Sequence, residues 1–200
     1  MMEKIKQELK NGGAVVLPTE TVYGLFAKAL DEKAVDHVYQ LKGRPRDKAL
    51  NLNVASLEDI FSFSKHQPVY LKKLVETFLP GPLTIILEAN DKVPCWVNSD
   101  LNTVGFRMPS HPVTLELIRE CGPLIGPSAN ISGCKSGLNF KQILEDFDGE
   151  VFGLEDDDFL TGHDSTILDL TGKKVKILRQ GSITQEDILT KIPEIPFEEV

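Results

Sequence analysis

Hydrophobic and polar positions change period repeatedly along the chain, from adjacent apolar residues to helical spacing and back. The opening segment, MMEKIKQELKNGG, has the spacing of an amphipathic helix that stops at Gly12-Gly13, and it lacks the apolar core of a signal peptide. Ala14-Val-Val-Leu17 is an apolar run halted by Pro18 and predicts a strand. Asp31 caps a pattern with Ala34, Val35, Val38 and Leu41 at helical spacing. Ala49 to Val54 alternates as ALNLNV, a strand pattern. Pro68 to Leu79 predicts a helix closed by Pro80-Gly81-Pro82, and Leu83 to Leu87 predicts the strand that follows. Thr103 to Arg107 predicts a strand, Val113 to Glu120 a helix and Leu124-Ile125 a strand. Ser165 to Leu170 and Val175 to Leu178 predict two antiparallel strands joined by a turn at Thr171-Gly172. A last helix, Thr184 to Lys191, opens on the capping box Thr184-Gln-Glu-Asp187. The elements intermix without strict alternation, which implies a single α/β domain over residues 1–200 on a mixed, twisted sheet.

Composition adds limits. With 200 residues and 41% hydrophobic content the chain fits one ordinary domain, and no apolar run reaches the roughly 20 residues that span a bilayer. Cys95, Cys121 and Cys134 are odd in number and lack CxxC spacing. They are expected to be buried or half-buried thiols in a reducing cytoplasm. The net charge of −8 argues against a surface that holds nucleic acid everywhere, so any anion site must be local. KGRPRDK (Lys42 to Lys48) concentrates basic residues, whereas Glu155-Asp-Asp-Asp158 and the tail Phe197 to Val200 are acidic. The acidic run predicts a solvated loop.

There is no GxxxxGK[ST] loop, no GxGxxG, no HExxH and no GxSxG. The four histidines have no ligand spacing, which suits surface or structural roles. Six stretches instead place polar or basic residues at the end of an apolar run. They are Pro18-Thr-Glu-Thr-Val-Tyr-Gly24, Lys42-Gly-Arg-Pro45, Thr103-Val-Gly-Phe-Arg-Met-Pro109, IGPSANISG (Ile125 to Gly133), Ser165-Thr-Ile-Leu-Asp169 and Arg179-Gln-Gly181. Each alone also suits a turn or a structural ion pair. Together they suit a crevice at strand ends, where α/β sheets bind ligands.

PTETVYGL, KGRP, PGPLTIIL, TVGFRMP, PSANISG, STILDLT and ILRQG, in this order and spacing, resemble the YrdC-domain family, specifically threonylcarbamoyl-AMP synthases of the TsaC type. The resemblance runs from about Asn11 to Ile183 and is to the short, single-domain form. It implies a mixed twisted sheet around a concave, positively lined cavity. It also implies an enzyme, a nucleotidyltransferase that makes L-threonylcarbamoyl-adenylate and pyrophosphate from L-threonine, bicarbonate and ATP, with Mg²⁺ on the ATP. A tRNA-modifying threonylcarbamoyl transferase complex would be its partner, producing N6-threonylcarbamoyladenosine in ANN-decoding tRNAs. A weak affinity for double-stranded RNA or tRNA is a further expectation, a membrane is not, and the location implied is cytoplasmic.

Carried over by position, the family pattern implies ATP binding by Lys42, Arg44, Lys48, Thr103, Ser128, Ser136 and Arg179. It implies threonine binding by Thr21, Asn53, Arg107, Gly126 and Ser165. Lys42 and Arg44 would stabilise charge, no residue would act as a covalent nucleophile, and no protein side chain would bind metal. IGPSANISG would be a floor of small residues under the adenylate phosphate. Arg107 would hold the threonine carboxylate as a fork. The family often has Asn-Pro-Leu-x-x-His after KxRP, whereas this chain has Lys48-Ala-Leu-Asn-Leu-Asn53. Asn53 cannot carry a positive charge, and Lys48 adds one. Two rival readings stay open: a YrdC-fold paralogue with another acceptor, and an RNA-binding module without this activity.

Overall fold

The computed structural model describes residues 1–198. Helix α1 (Met2–Lys10) leads into β1 (Val15–Leu17), β2 (Gly24–Lys28), α2 (Glu32–Lys42), β3 (Leu52–Asn53), α3 (Leu57–Phe63) and β4 (Ser64–Lys65). There follow α4 (Leu71–Phe78), β5 (Leu83–Ala89), α5 (Cys95–Asn98), β6 (Thr103–Arg107), α6 (Pro112–Cys121), β7 (Leu124–Ile125) and α7 (Phe140–Asp146). The chain closes with β8 (Phe152–Gly153), a 3-10 turn (Asp157–Phe159), β9 (Thr166–Asp169), β10 (Lys176–Arg179) and α8 (Gln185–Lys191).

The strands form one sheet in the order β10-β9-β5-β6-β3-β7-β2-β1-β8, with β4 paired to β5. β1–β8, β3–β6 and β5–β9 are parallel, and the other neighbours are antiparallel, so the expected mixed sheet is present. Apolar residues pack on both faces. Leu25, Ala27, Leu52, Ile85, Phe106 and Leu168 belong to the larger core with α2, α3 and α4. Val15, Leu17, Phe26 and Leu124 pack with Ile5 and Leu9 of α1 and Leu117 of α6. No helix among the described residues is long and apolar enough to cross a membrane.

Local signals account for several elements. Asp31 accepts the N–H groups of Lys33 and Ala34 at the start of α2, and Gly43 ends that helix at φ 57, a conformation that favours glycine. The capping box of α8 is present at Thr184 and Asp187. Other expectations need correction. The ALNLNV run yields only β3, because the Lys48 carbonyl is taken by Tyr39 and Arg44, that of Ala49 by Arg44, and the Leu50 N–H goes to Val97. The helix expected from Pro68 begins at Leu71. The pattern missed β2, whose five residues GLFAK lack a polar alternation because both faces are covered.

The acidic run is not a solvated loop throughout. Asp156 and Asp157 turn inward while Glu155 and Asp158 stay toward water. Tyr23 Oη donates to Asp157 Oδ1 at 2.7 Å and accepts the Asp156 N–H at 2.8 Å. Asp157 also takes the Phe140 N–H and the Asn139 amide, and Asp156 lies 3.2 Å from His111 Nε2. His111 is buried, and its Nδ1 accepts the Thr114 N–H at the start of α6. Further on, Thr161 donates to the Glu20 carbonyl through both N and Oγ1, and the Gly162 N–H goes to the Thr21 carbonyl. Residues 154–164 thus strap the turn at Thr19–Tyr23. The cysteines are free, but Cys95 and Cys134 are exposed and only Cys121 is half-buried. In the acidic tail Glu198 reaches Lys176 at 3.4 Å, while Glu199 and Val200 lie outside the described residues.

Candidate active site

Side chains of directly paired residues emerge on the same face of a sheet. Thr84 of β5 pairs with Arg107 of β6 and Ile167 of β9, and Arg107 also pairs with Asn53 of β3. These four positions line a cavity of about 250 Å³. Thr19, Thr21 and Tyr23 join them from the turn before β2, Gly126, Pro127 and Ser128 from the segment after β7, and Ser136 from the loop beyond. Arg44 enters behind α2, Asp164 and Ser165 precede β9, and Arg179 ends β10.

Arg107 is already engaged. Its Nη2 donates to Glu20 Oε1 at 2.5 Å and to Thr21 Oγ1 at 2.8 Å. The other Glu20 oxygen accepts the Ser110 N–H at 2.8 Å. With side chains only 16% and 11% exposed, the Arg107–Glu20 pair is largely shielded from water. Burial works to raise the Glu20 pKa, but the Arg107 charge and the Ser110 N–H outweigh it and hold the carboxyl below its ordinary value. Arg107 Nε is buried and has no hydrogen-bond partner within the protein.

At the opposite wall, Arg179 donates through Nε to the Ser165 carbonyl and through Nη2 to Ser165 Oγ, both at 3.0 Å. Ser165 Oγ lies 3.0 Å from Thr84 Oγ1. Arg44 lines the cavity while donating to the Lys48 carbonyl at 3.1 Å and the Ala49 carbonyl at 2.9 Å.

The IGPSANISG segment is knitted into the sheet. Pro127 accepts the Leu25 N–H and Tyr23 accepts the Ala129 N–H. Its first glycine has a structural cause, because a Cβ at Gly126 would collide with the Phe26 ring. Beneath this segment lies Lys42, 2% exposed, whose Nζ donates to the carbonyls of Ser128 and Asn130 at 2.6 Å each. Burial, aided by Arg44, lowers its pKa to about 8.

Arg44, Ser128, Ser136, Arg179, Thr21, Asn53, Arg107, Gly126 and Ser165 therefore meet in one cavity. Three expected residues do not line it. The Lys42 ammonium is spent on the floor's carbonyls, Lys48 is exposed, and Thr103 lies at the far end of β6, beyond Gly105. Thr103 shares the face of Arg107 but sits four residues away, about 13 Å along a strand. Asn53 donates weakly to the Leu124 carbonyl at 3.4 Å. The positional reading omitted Glu20, Thr84 and Asp164. Thr84 carried a signal, the one polar side chain in the apolar run LTIIL. Among the described residues no group of three His, Cys, Asp or Glu side chains is arranged to hold a metal ion.

Hydroxyls, guanidinium groups and backbone turns gathered at strand ends form the kind of crevice in which α/β domains hold ligands. Residues 7–181 match the Sua5_yciO_yrdC family, described as "Telomere recombination", and the chain belongs to that family. A threonylcarbamoyl-AMP synthase of Pyrococcus abyssi is 40% identical over 189 residues, covering 94% of this chain and 56% of the relative. One of Bacillus subtilis is 39% identical over 183 residues, covering 90% and 53%. The chain thus spans about half the length of these relatives. The crystal structure of P. abyssi Sua5 complexed with L-threonine superposes with a TM-score of 0.91 at 38% identity, covering 98% of this chain and 58% of that one.

Proposed function

We propose that this chain is a threonylcarbamoyl-AMP synthase, converting L-threonine, bicarbonate and ATP into threonylcarbamoyl-adenylate and pyrophosphate. The observation that carries the reading is the convergence on one cavity of nine residues, seven of them supplied by all six of the motif stretches and the other two being Asn53 and Ser136. Relatives of that name over most of this chain support it.

The threonine amine and bicarbonate condense to a carbamate with loss of water. A carbamate oxygen attacks the α-phosphorus of ATP, the bond to the β-phosphate oxygen breaks, and pyrophosphate leaves. Such chemistry is accelerated mainly by positioning and by charge stabilisation. Arg44 and Arg179 supply cations at the wall, with Lys48 exposed on the loop held by Arg44. Lys42 acts at one remove, fixing the Ser128 and Asn130 carbonyls so that the floor keeps its shape. Mg²⁺ enters with ATP as part of that substrate, held by phosphate oxygens and water. Arg107 and Thr21 face the amino acid, with Ser136 toward the nucleotide. The adenylate would pass to a threonylcarbamoyl transferase complex acting on tRNA, which puts the protein's work in the cytoplasm.

Purified protein with MgATP, bicarbonate and L-threonine is expected to release pyrophosphate only when all three are present. Release at the same rate with serine, or with no amino acid, overturns the assignment.

A further inference from the structure

Two pairs of hydroxyls line the cavity, and their protons can be counted. Thr19 Oγ1 donates to the Val22 carbonyl at 2.6 Å, since a carbonyl only accepts. In the 2.9 Å contact between Thr19 and Thr21 the donor is therefore Thr21. Arg107 donates to Thr21 in turn. Thr21 has spent its proton and offers the cavity a lone pair alone.

The Thr84–Ser165 pair counts differently. Both residues are buried, both line the cavity, and their oxygens lie 3.0 Å apart. Arg179 donates to Ser165 and, having no acceptor, takes no proton back. One hydroxyl proton fills the contact between the two oxygens. The second has no acceptor among the described residues, and both residues line the cavity. Two guanidinium groups flank it: Arg107, directly across from Thr84 and paired with Glu20, and Arg179, bonded to Ser165 and 3.8 Å from the Asp164 carboxylate.

We propose that Thr84 and Ser165 form a one-proton donor subsite for a carboxylate-type oxyanion, which makes Thr84 a substrate-binding residue. The inference rests on the proposed function, whose oxyanions of this shape are bicarbonate and the threonine carboxylate. Either hydroxyl can present the free proton, because the shared one reverses direction when the other turns outward. Removing one hydroxyl leaves one proton and no internal contact to consume it, so a donor survives each single substitution. Only loss of both removes it.

Thr84→Val, Ser165→Ala and the double variant are compared by varying threonine, bicarbonate and ATP in turn. Each single substitution is expected to raise one oxyanion KM about twofold, and the pair tenfold or more, the loss of a hydrogen bond to a charged group. The ATP KM stays constant. Whichever KM moves identifies bicarbonate or the threonine carboxylate as the occupant. A double variant equal to the product of the singles, an effect confined to ATP, or lost thermal stability with unchanged KM values overturns the subsite. If the unaltered protein forms no adenylate, the proposed function fails by itself. The subsite is then read by calorimetry with bicarbonate and with L-threonine, and it falls if neither binds or if the double variant binds equally well.

Discussion

Glu20 shows how one carboxylate sets the working state of a cation. Arg107 has a forked edge that suits a substrate carboxylate, but one of its terminal nitrogens is already held by Glu20 and Thr21. A ligand therefore meets a guanidinium whose orientation is fixed and whose charge already has the Glu20 carboxylate as a partner. Glu20→Gln leaves Arg107 buried without its counter-charge, which costs about 3 kcal/mol near neutral pH. The sign of the pH dependence follows from the depressed Glu20 pKa. The stability it contributes is present in full above the ordinary 4.5 and is lost as pH falls through the lower folded value. The difference in melting temperature between native protein and Glu20→Gln should thus be constant above about pH 5.5 and shrink in more acidic solution. A difference that persists unchanged at pH 3 would mean that Glu20 acts through shape and not through charge.

At the level of elements, the strap over residues 154–164 joins β8 to β9, which are separated in the sheet by six strands. Tyr23 is its central anchor. Tyr23→Phe removes one donor to Asp157 and leaves the Asp156 N–H without its partner, so a loss of about 1–2 kcal/mol is expected. Hydrogen exchange followed by mass spectrometry should quicken in 155–164 while β5 and β6 stay protected. Uniform quickening across the sheet would make Tyr23 a core residue only. Nothing in the sequence announced this strap. Glu155 to Asp158 has the composition of a solvated loop, and what draws it inward is a tyrosine more than 130 residues earlier, which holds the Asp157 carboxylate and the Asp156 N–H, with His111 beside the Asp156 carboxylate. β6 and β7, by contrast, were legible to the residue, because each is a short apolar run bounded by turn signals. The candidate site was legible as a set of motifs, since Thr21, Arg107, Ser128, Ser165 and Arg179 end up together. The surroundings of Lys42 were not legible, for a physical reason. A lysine in a basic cluster looks solvated, and only the tertiary structure places two backbone carbonyls around its ammonium.

For the whole molecule, the larger core draws on residues from Ala14 to Ile195, so neither half of the chain has a separate interior. Trp96 is the one tryptophan, and its Nε1 donates to the Ala29 carbonyl, tying α5 to the end of β2. Its fluorescence therefore reports the same packing that backbone circular dichroism reports. Urea unfolding should give coincident transitions with the two probes, the behaviour of one cooperative unit. Separated midpoints would reveal two parts that unfold on their own.

The cations at the cavity wall are all arginines: Arg44, Arg107 and Arg179. Among the described residues no lysine, cysteine or histidine side chain lines that wall, and the nearby amine of Lys42 is capped by carbonyls below the floor. A mixed anhydride of the kind this site would make acylates free amines, whereas guanidinium, protonated at every accessible pH, is inert toward it. The wall therefore holds negative charge without offering its own product a target. Arg179→Lys would place a primary amine there while keeping the charge. During turnover that variant should gain the mass of one threonylcarbamoyl group at residue 179, detectable in the intact protein and mapped by peptide fragmentation. An unmodified Arg179→Lys enzyme that still forms the adenylate would show that self-acylation exerts no constraint on the wall.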